Sequence, residues 1–163
     1  MTRTLDAQDV DDLAVGAWVL GTGGGGSPYL NHLNMQRIAA DGMQFELIDP
    51  QELDDQARVA VVSTMGAPLV MQERLQDPRD VARAVEVMAE HTGSTFDAVM
   101  ATEIGGSNAF QPLMASAHLG IPIVDADAMG RAYPEAQMTS FAIGGLQPWP
   151  LALVDPRGVE AIV

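Results

Sequence analysis

The chain has 163 residues, of which 47% are hydrophobic, and it carries 22 acidic against 8 basic side chains, a formal net charge of −14. The length and composition predict one globular domain with its own core. The acidic charge argues against nucleic acid or an anionic membrane as a partner. All basic residues are arginines, which excludes a P-loop lysine, a Schiff base and a pyridoxal phosphate anchor. The absence of cysteine excludes thiol catalysis and thiolate metal sites.

The first twelve residues are acidic and lack the apolar segment of a signal peptide. No apolar run approaches the ~20 residues that a membrane-spanning helix needs. We therefore expect a soluble, cytoplasmic protein.

The first predicted element is a helix that leads into a glycine-rich loop, residues 21–26. Apolar residues recur at helical spacing before the loop, and aspartates crowd the helix start, where the helix dipole favours negative charge. A buried strand over residues 13–20 is the alternative. The residues of the apolar stripe are Val10, Leu13, Ala14, Ala17 and Trp18.

The glycine-rich loop matches the GxGxxG spacing of a dinucleotide-binding turn at Gly21, Gly23 and Gly26. That fingerprint requires a strand before the glycines, and we predict a helix, so we expect no bound nucleotide. Two interpretations remain open. The loop presents backbone N–H groups to an anion or a carbonyl oxygen, or it is a tight connection where two backbones pass closely.

A second helix follows the loop, with Ser27 as its N-cap, Pro28 as its first residue and Gly42 as its stop. Strands are then predicted at 45–48, at 59–62 (buried on both faces), at 98–101 and at 121–124. Helices between them are predicted to start at Asp77-Pro78 and at Ser107 or Asn108. This alternation predicts an α/β fold with a mainly parallel sheet and helices on both faces.

The C-terminal residues predict a β-hairpin around the turn Asp155-Pro156-Arg157-Gly158. Its second arm ends in an apolar run without a charged cap, and an unpaired apolar strand favours association. We expect the hairpin to be an interface, either with a second copy or with a companion chain. The alternative is that it folds back onto the sheet of its own domain.

Polar residues follow the predicted strands at the end where ligands bind to a parallel sheet. Glu103 is a candidate general base, or a carboxylate satisfied by backbone N–H groups. Asp125 and Asp127 lie two apart on an extended segment and so share one face, where they could hold a divalent cation or divide acid and base roles. The alternative is that one caps a helix and the other faces solvent. Arg131 could neutralise this cluster or bind a substrate carboxylate.

Taken together, "LGTGGGGSPY", "MGAP", "EIGGSNAFQPL", "IPIVDADAMGRAYPEAQM" and "PLALVDPRG" resemble the N-terminal region of the S-methyl thiohydantoin desulfurase family, which is associated with hydantoinase/oxoprolinase proteins. The resemblance implies hydrolysis at a hydantoin-like five-membered ring, with water replacing methanethiol at a ring carbon. It also implies that a β-rich second part usual in the family is missing from this single domain, 1–163. The alternative function is therefore a non-catalytic subunit or binding module that completes a hydantoinase-type partner.

The motif positions give the expected site. From their chemistry we expect catalytic roles for Glu103, Asp125 and Asp127, and an oxyanion-stabilising role for the N–H groups of the glycine loop. We assign no cofactor. Asp125 and Asp127 are the only basis for expecting a divalent metal. The residues expected to contact a small cyclic substrate are Gly23, Gly24, Gly25, Gly26, Asn108, Arg131, Glu135 and Gln137.

Overall fold

The computed structural model describes residues 2–135 and 137–163. The helices are α1 (Ala7–Leu20), α2 (Tyr29–Ala40), α3 (Pro68–Glu73), α4 (Asp80–Thr92), α5 (Gln111–Leu119) and α6 (Ser140–Ile143). The strands are β1 (Arg3–Leu5), β2 (Phe45–Ile48), β3 (Val59–Val62), β4 (Ala98–Ala101), β5 (Ile123–Asp127), β6 (Ala152–Val154) and β7 (Glu160–Ile162). Short 3-10 helices span Pro50–Glu52 and Gly106–Phe110.

The main sheet has five strands in the order β1-β2-β5-β4-β3, and the hairpin β6-β7 forms a separate two-stranded sheet. Strands β2, β5, β4 and β3 are parallel, and β1 pairs antiparallel with β2. The predicted α/β fold with a mainly parallel sheet and a C-terminal hairpin is therefore confirmed.

The core lies mostly on one face of the sheet. There α1, α4 and α5 contribute Val10, Val85 and Leu113 to a cluster with strand residues such as Val99. The other face carries a smaller cluster around Met100, against which Phe141 of α6 packs. Helices thus lie on both faces, but the longer ones share the face that buries more apolar surface.

Helix α1 is confirmed as a helix, and the alternative strand over 13–20 is wrong. Val10, Ala14 and Ala17 are its buried residues, at the helical spacing that the sequence predicts. Asp6 caps the helix and forms a reciprocal capping box with Asp9, which satisfies backbone donors of the first turn.

Three helix starts differ from the prediction. Ser27 accepts from the Tyr29 N–H, but Pro28 is the N-cap of α2 and not its first residue. Asp77 accepts from the Arg79 N–H, and α4 begins at Asp80. Neither Ser107 nor Asn108 caps α5, since both lie in the 3-10 helix that precedes it.

Strand β3 is an edge strand and not, as predicted, a strand buried on both faces. Strand β3 is the last strand of the sheet. Ala60 and Val62 are buried, whereas Val61 on the opposite face is 45% exposed, so only one face of the strand is covered. A continuous apolar run therefore does not distinguish a central strand from an edge strand here.

The hairpin pairs Ala152 with Ile162 and Val154 with Glu160, as an antiparallel ladder. It packs against α4, and Arg83 of that helix donates from Nε to Glu160 Oε1 at 2.7 Å. The hairpin therefore lies on a helix of its own domain and not directly on the sheet. Val163 at its end remains 63% exposed.

Within the described residues, none of the helices combines the length and the apolar character that crossing a bilayer requires.

Candidate functional site

Glu103 is the second residue after β4 and is buried, at 5% exposure. Its Oε1 accepts from Asn108 Nδ2 at 2.7 Å, and its Oε2 accepts from the Tyr133 N–H at 2.9 Å. Asn108 is oriented in turn, because its Oδ1 accepts from the Thr64 N–H at 2.7 Å. Each carboxylate oxygen therefore faces an N–H donor, and Glu103 and Asn108 together join the three loops that follow β3, β4 and β5.

The glycine-rich loop lies against the second glycine pair, Gly105-Gly106. A Cβ at Gly106, whose φ is +65°, would lie 2.1 Å from the Gly25 carbonyl oxygen. The Ser107 N–H donates to that oxygen at 2.9 Å, and Asn31 Nδ2 of α2 holds the Ser107 hydroxyl at 2.7 Å. Two interpretations of the loop were left open. At Gly25 the structure supports the second, a tight connection where two backbones pass closely. Gly23 and Gly24 stay exposed.

Asp127 is the last residue of β5 and binds the loops on either side of it. Its Oδ2 accepts from the Ile104 N–H and from the Gly130 N–H, both at 2.8 Å. Ile104 follows Glu103 directly, so Glu103 and Asp127 lie at the same edge of the sheet. Asp127 thus fixes the loop geometry by hydrogen bonds to backbone N–H groups.

A cleft of about 470 Å³ opens on the face of the sheet that carries α1 and α5. Its floor is apolar, and Asp125 and Asp127 both line it, as the spacing of two on an extended segment predicts. The lining residues also include Arg3, Leu5, Asp9, Asp12, Leu13, Leu47, Ile104, Leu113 and Ile123.

Asp125 occupies an irregular part of the sheet. The register between β4 and β5 shifts so that Val99 pairs with Ile123 and Ala101 with Asp127, which leaves the intervening part of β5 bulged. Bulges re-aim side chains and are frequent beside active sites. Asp125 is exposed, and among the described residues its carboxylate has no hydrogen-bond or ion-pair partner.

The structure divides the expected site residues into two neighbouring groups. Glu103, Asn108 and the glycine-rich loop form one group, Asp125 lies in the cleft, and Asp127 connects the two. Neither Glu103 nor any loop glycine lines the cleft.

The remaining expected residues lie outside both groups. Arg131 donates from Nε to the carbonyl of the adjacent Ala132. Glu135 and Gln137 are exposed and hydrogen-bond to each other. No group of three acidic or imidazole side chains in the described ranges is arranged as a metal site. Asp125 and Asp127 by themselves therefore fall short of the oxygen ligand set of a hard cation.

Sequence reasoning missed two residues of this region. Tyr133 supplies the backbone donor to Glu103, and its hydroxyl shares a 2.7 Å hydrogen bond with Thr102 Oγ1. Arg3 lines the cleft from β1. Arg3 was missed because β1 has three residues, too few to show a periodic pattern. The Tyr133 N–H was missed because a backbone donor does not depend on the residue type.

A crystal structure of a protein from Chromobacterium violaceum matches the fold with a TM-score of 0.82 and 27% sequence identity. The match covers 99% of this chain and 44% of that chain, so this chain spans less than half the length of that relative. No functionally curated sequence matches the chain. The family model described as the S-Me-THD-like N-terminal domain matches residues 8–163. The chain therefore belongs to the S-Me-THD-like N-terminal domain family.

Proposed function

We propose that this domain is the ring-binding part of a hydrolase that acts on hydantoin-like rings, with water replacing a thiol at a ring carbon. Family membership supports the class of reaction. The observation that carries the proposal is Asp125, an accessible carboxylate without a partner in the described residues, on a bulged strand at the wall of an apolar-floored cleft. Ligand sites are characteristically apolar clefts of this size with a few polar groups at their walls.

The chemistry assigned to Asp125 is general base catalysis. A flat ring packs on the floor near the half-buried Leu13 and Leu47, and Asp125 accepts a proton from water as the water oxygen attacks the ring carbon. The carbon–sulfur bond then breaks, and the same carboxyl group returns the proton to the departing thiolate. The second proton of the water moves from the new hydroxyl group to the ring nitrogen, so that the products are methanethiol and the hydantoin.

Glu103 and Asp127 have supporting roles in this proposal. Asp127 holds the backbone of Ile104, which lines the cleft, and Glu103 joins the loops behind it. Both carboxylates already accept hydrogen bonds from N–H donors, so Asp125 is the better placed base.

The test is release of thiol from an S-methyl thiohydantoin by the purified chain and by Asp125→Asn. We expect the substitution to lower kcat by roughly 10²-fold or more, as loss of a positioned base does, without a change in the unfolding midpoint. Asp55→Asn is the matched control, because it removes the same charge from an exposed position outside the cleft. Equal turnover by wild type and Asp125→Asn contradicts the assignment.

The second candidate is a binding module that completes a hydantoinase-type partner. The observation that favours it is coverage, since the match spans 44% of the solved relative's chain. In that case the purified chain binds the ring without turnover, and thiol release begins only when a polypeptide corresponding to the rest of that relative is added.

A further inference from the structure

We infer that Arg3 is a specificity residue of the cleft, which donates to a carbonyl oxygen of the ligand. One oxygen of Asp125 accepts from a ring N–H, and its other oxygen is left for the attacking water. The ligand class is then a neutral cyclic ureide or imide. The inference rests on the proposed function in taking the cleft as the binding site.

Arg3 is held in the cleft by a carboxylate that is itself fixed. Its Nη2 donates to Asp9 Oδ1 at 3.0 Å, while Asp9 Oδ2 accepts from the Asp6 N–H at 3.0 Å as part of the capping box of α1. The guanidinium has five N–H donors, and no second acceptor for them occurs among the described residues. Donors therefore remain for a ligand.

The strand register places Arg3 opposite Asp125. Arg3 pairs with Leu47 on β2, and Leu47 pairs with Ile123 on β5, so these three residues form one row across the sheet. Two strand spacings separate β1 from β5, which is roughly 10 Å. Arg3, Leu47, Ile123 and Asp125 all line the cleft, so the two apolar side chains lie between a donor on one wall and an acceptor on the other.

A cyclic ureide or imide matches this arrangement. Its ring faces are apolar enough to pack on the floor, and its rim carries C=O acceptors and N–H donors on different sides. A small anion is disfavoured, because the lining holds four aspartates against one arginine. A small cation offers no acceptor to the N–H donors of Arg3.

Calorimetry with three probes of similar size tests the assignment: hydantoin, which is neutral, pyrrolidine, which is cationic, and N-carbamoylglycine, the anionic ring-opened form. We expect the wild type to bind hydantoin most tightly. Arg3→Met weakens hydantoin binding at least about tenfold, the cost of one charge-assisted hydrogen bond. Arg157→Met is the matched control, since Arg157 is exposed, pairs with Asp155 and lies outside the cleft.

Arg3→Lys is the second variant. It keeps the charge without the fork geometry and should bind hydantoin with intermediate affinity. It also serves if Arg3→Met fails to fold. If a folded Arg3 variant binds hydantoin as tightly as the wild type does, the assignment is wrong. It is also wrong if the wild type does not bind hydantoin, or binds either charged probe more tightly than hydantoin. If hydantoin binding depends on Arg3 but the wild type releases no thiol, only the proposed hydrolysis is wrong. If the chain releases thiol equally well without Arg3, only the Arg3 assignment is wrong.

Discussion

At the scale of single residues, Glu103 shows how a buried carboxylate is held by neutral donors. Asn108 cannot rotate its amide without losing the Thr64 N–H as a donor to Oδ1, so its Nδ2 must face Glu103. The Tyr133 N–H is fixed by the backbone. The site therefore requires two acceptor oxygens at position 103.

Glu103→Gln should destabilise the fold, because its amide NH₂ must face a donor, either Asn108 Nδ2 or the Tyr133 N–H. An unsatisfied buried polar group costs about 1–3 kcal/mol, and urea unfolding at neutral pH measures it. Glu46→Gln is the control at an exposed position. A Glu103→Gln protein as stable as this control would show that the pocket accepts an amide.

Gly106 tests the contact between the two glycine segments. Gly106→Ala places a methyl group 2.1 Å from the Gly25 carbonyl oxygen, at a φ of +65°. Left-handed conformation alone costs about 1–2 kcal/mol for a side chain, so we expect at least that loss in the free energy of unfolding. Gly24→Ala, whose methyl group would meet only the Gly21 carbonyl oxygen at 3.9 Å, should be close to neutral. Equal stability of the two variants would contradict the close contact.

At the scale of elements, α1 contains an avoidable weakness. Gly16 lies within the helix, and a Cβ there would meet no atom within 4 Å. Gly16→Ala should therefore raise the free energy of unfolding by about 0.5–1 kcal/mol, since glycine is the costlier residue in a helix interior. Thermal and urea unfolding measure the gain, and a loss of stability would mean that the position is more crowded than the structure shows.

Local patterns predicted α1, α2, α4 and α5 and the central strands, because each has a run of apolar residues at its own period. The short elements β1, α3 and α6 were not predicted. They failed where long-range contacts decide. Ser107 does not cap α5 because Asn31 and Gly25 hold its hydroxyl and its N–H. The sequence placed Asp125 and Asp127 after a strand ending at 124, yet both belong to β5, and the bulge that exposes Asp125 arises from pairing with β4.

At the scale of the whole molecule, the net charge is −14, and hydrogen bonds from neighbouring N–H groups stabilise the ionised form of some of the carboxylates. The side chain and backbone N–H of Arg79 lower the pKa of Asp77 to about 2, from an ordinary value of 3.8. A lowered pKa stabilises the fold above the unfolded value, and the contribution is lost as pH falls through the folded value. Asp77 thus contributes near neutrality and ceases to do so between about pH 4 and pH 2.

Asp77→Asn should accordingly be less stable than wild type at pH 7, and the difference should shrink as pH falls towards 2. Because the carboxylate is partly exposed, we expect a modest difference of up to about 1 kcal/mol. Unfolding free energies across this pH range measure it, with Asp55→Asn as the control. A difference that does not vary with pH would show that Asp77 acts through packing and not through its charge.

The C-terminal hairpin remains our predicted interface. Light scattering should give a mass above the 17.3 kDa of one chain, unless the companion is a different polypeptide. Val159→Asp places a charge on the exposed apolar surface of the hairpin and should restore the monomer without unfolding it, because the side chain is 57% exposed. A wild-type chain that is monomeric and also binds no companion chain would contradict the predicted interface.

The contact of Gly25 with Gly106 also constrains how this domain can evolve. The two segments lie some eighty positions apart in the chain, yet neither can gain a side chain unless the other backbone retreats. Substitutions at either glycine should therefore be inherited together with compensating changes in the other segment. Insertions in this domain should accumulate away from both segments, since an added residue in either would displace the loop that carries Glu103.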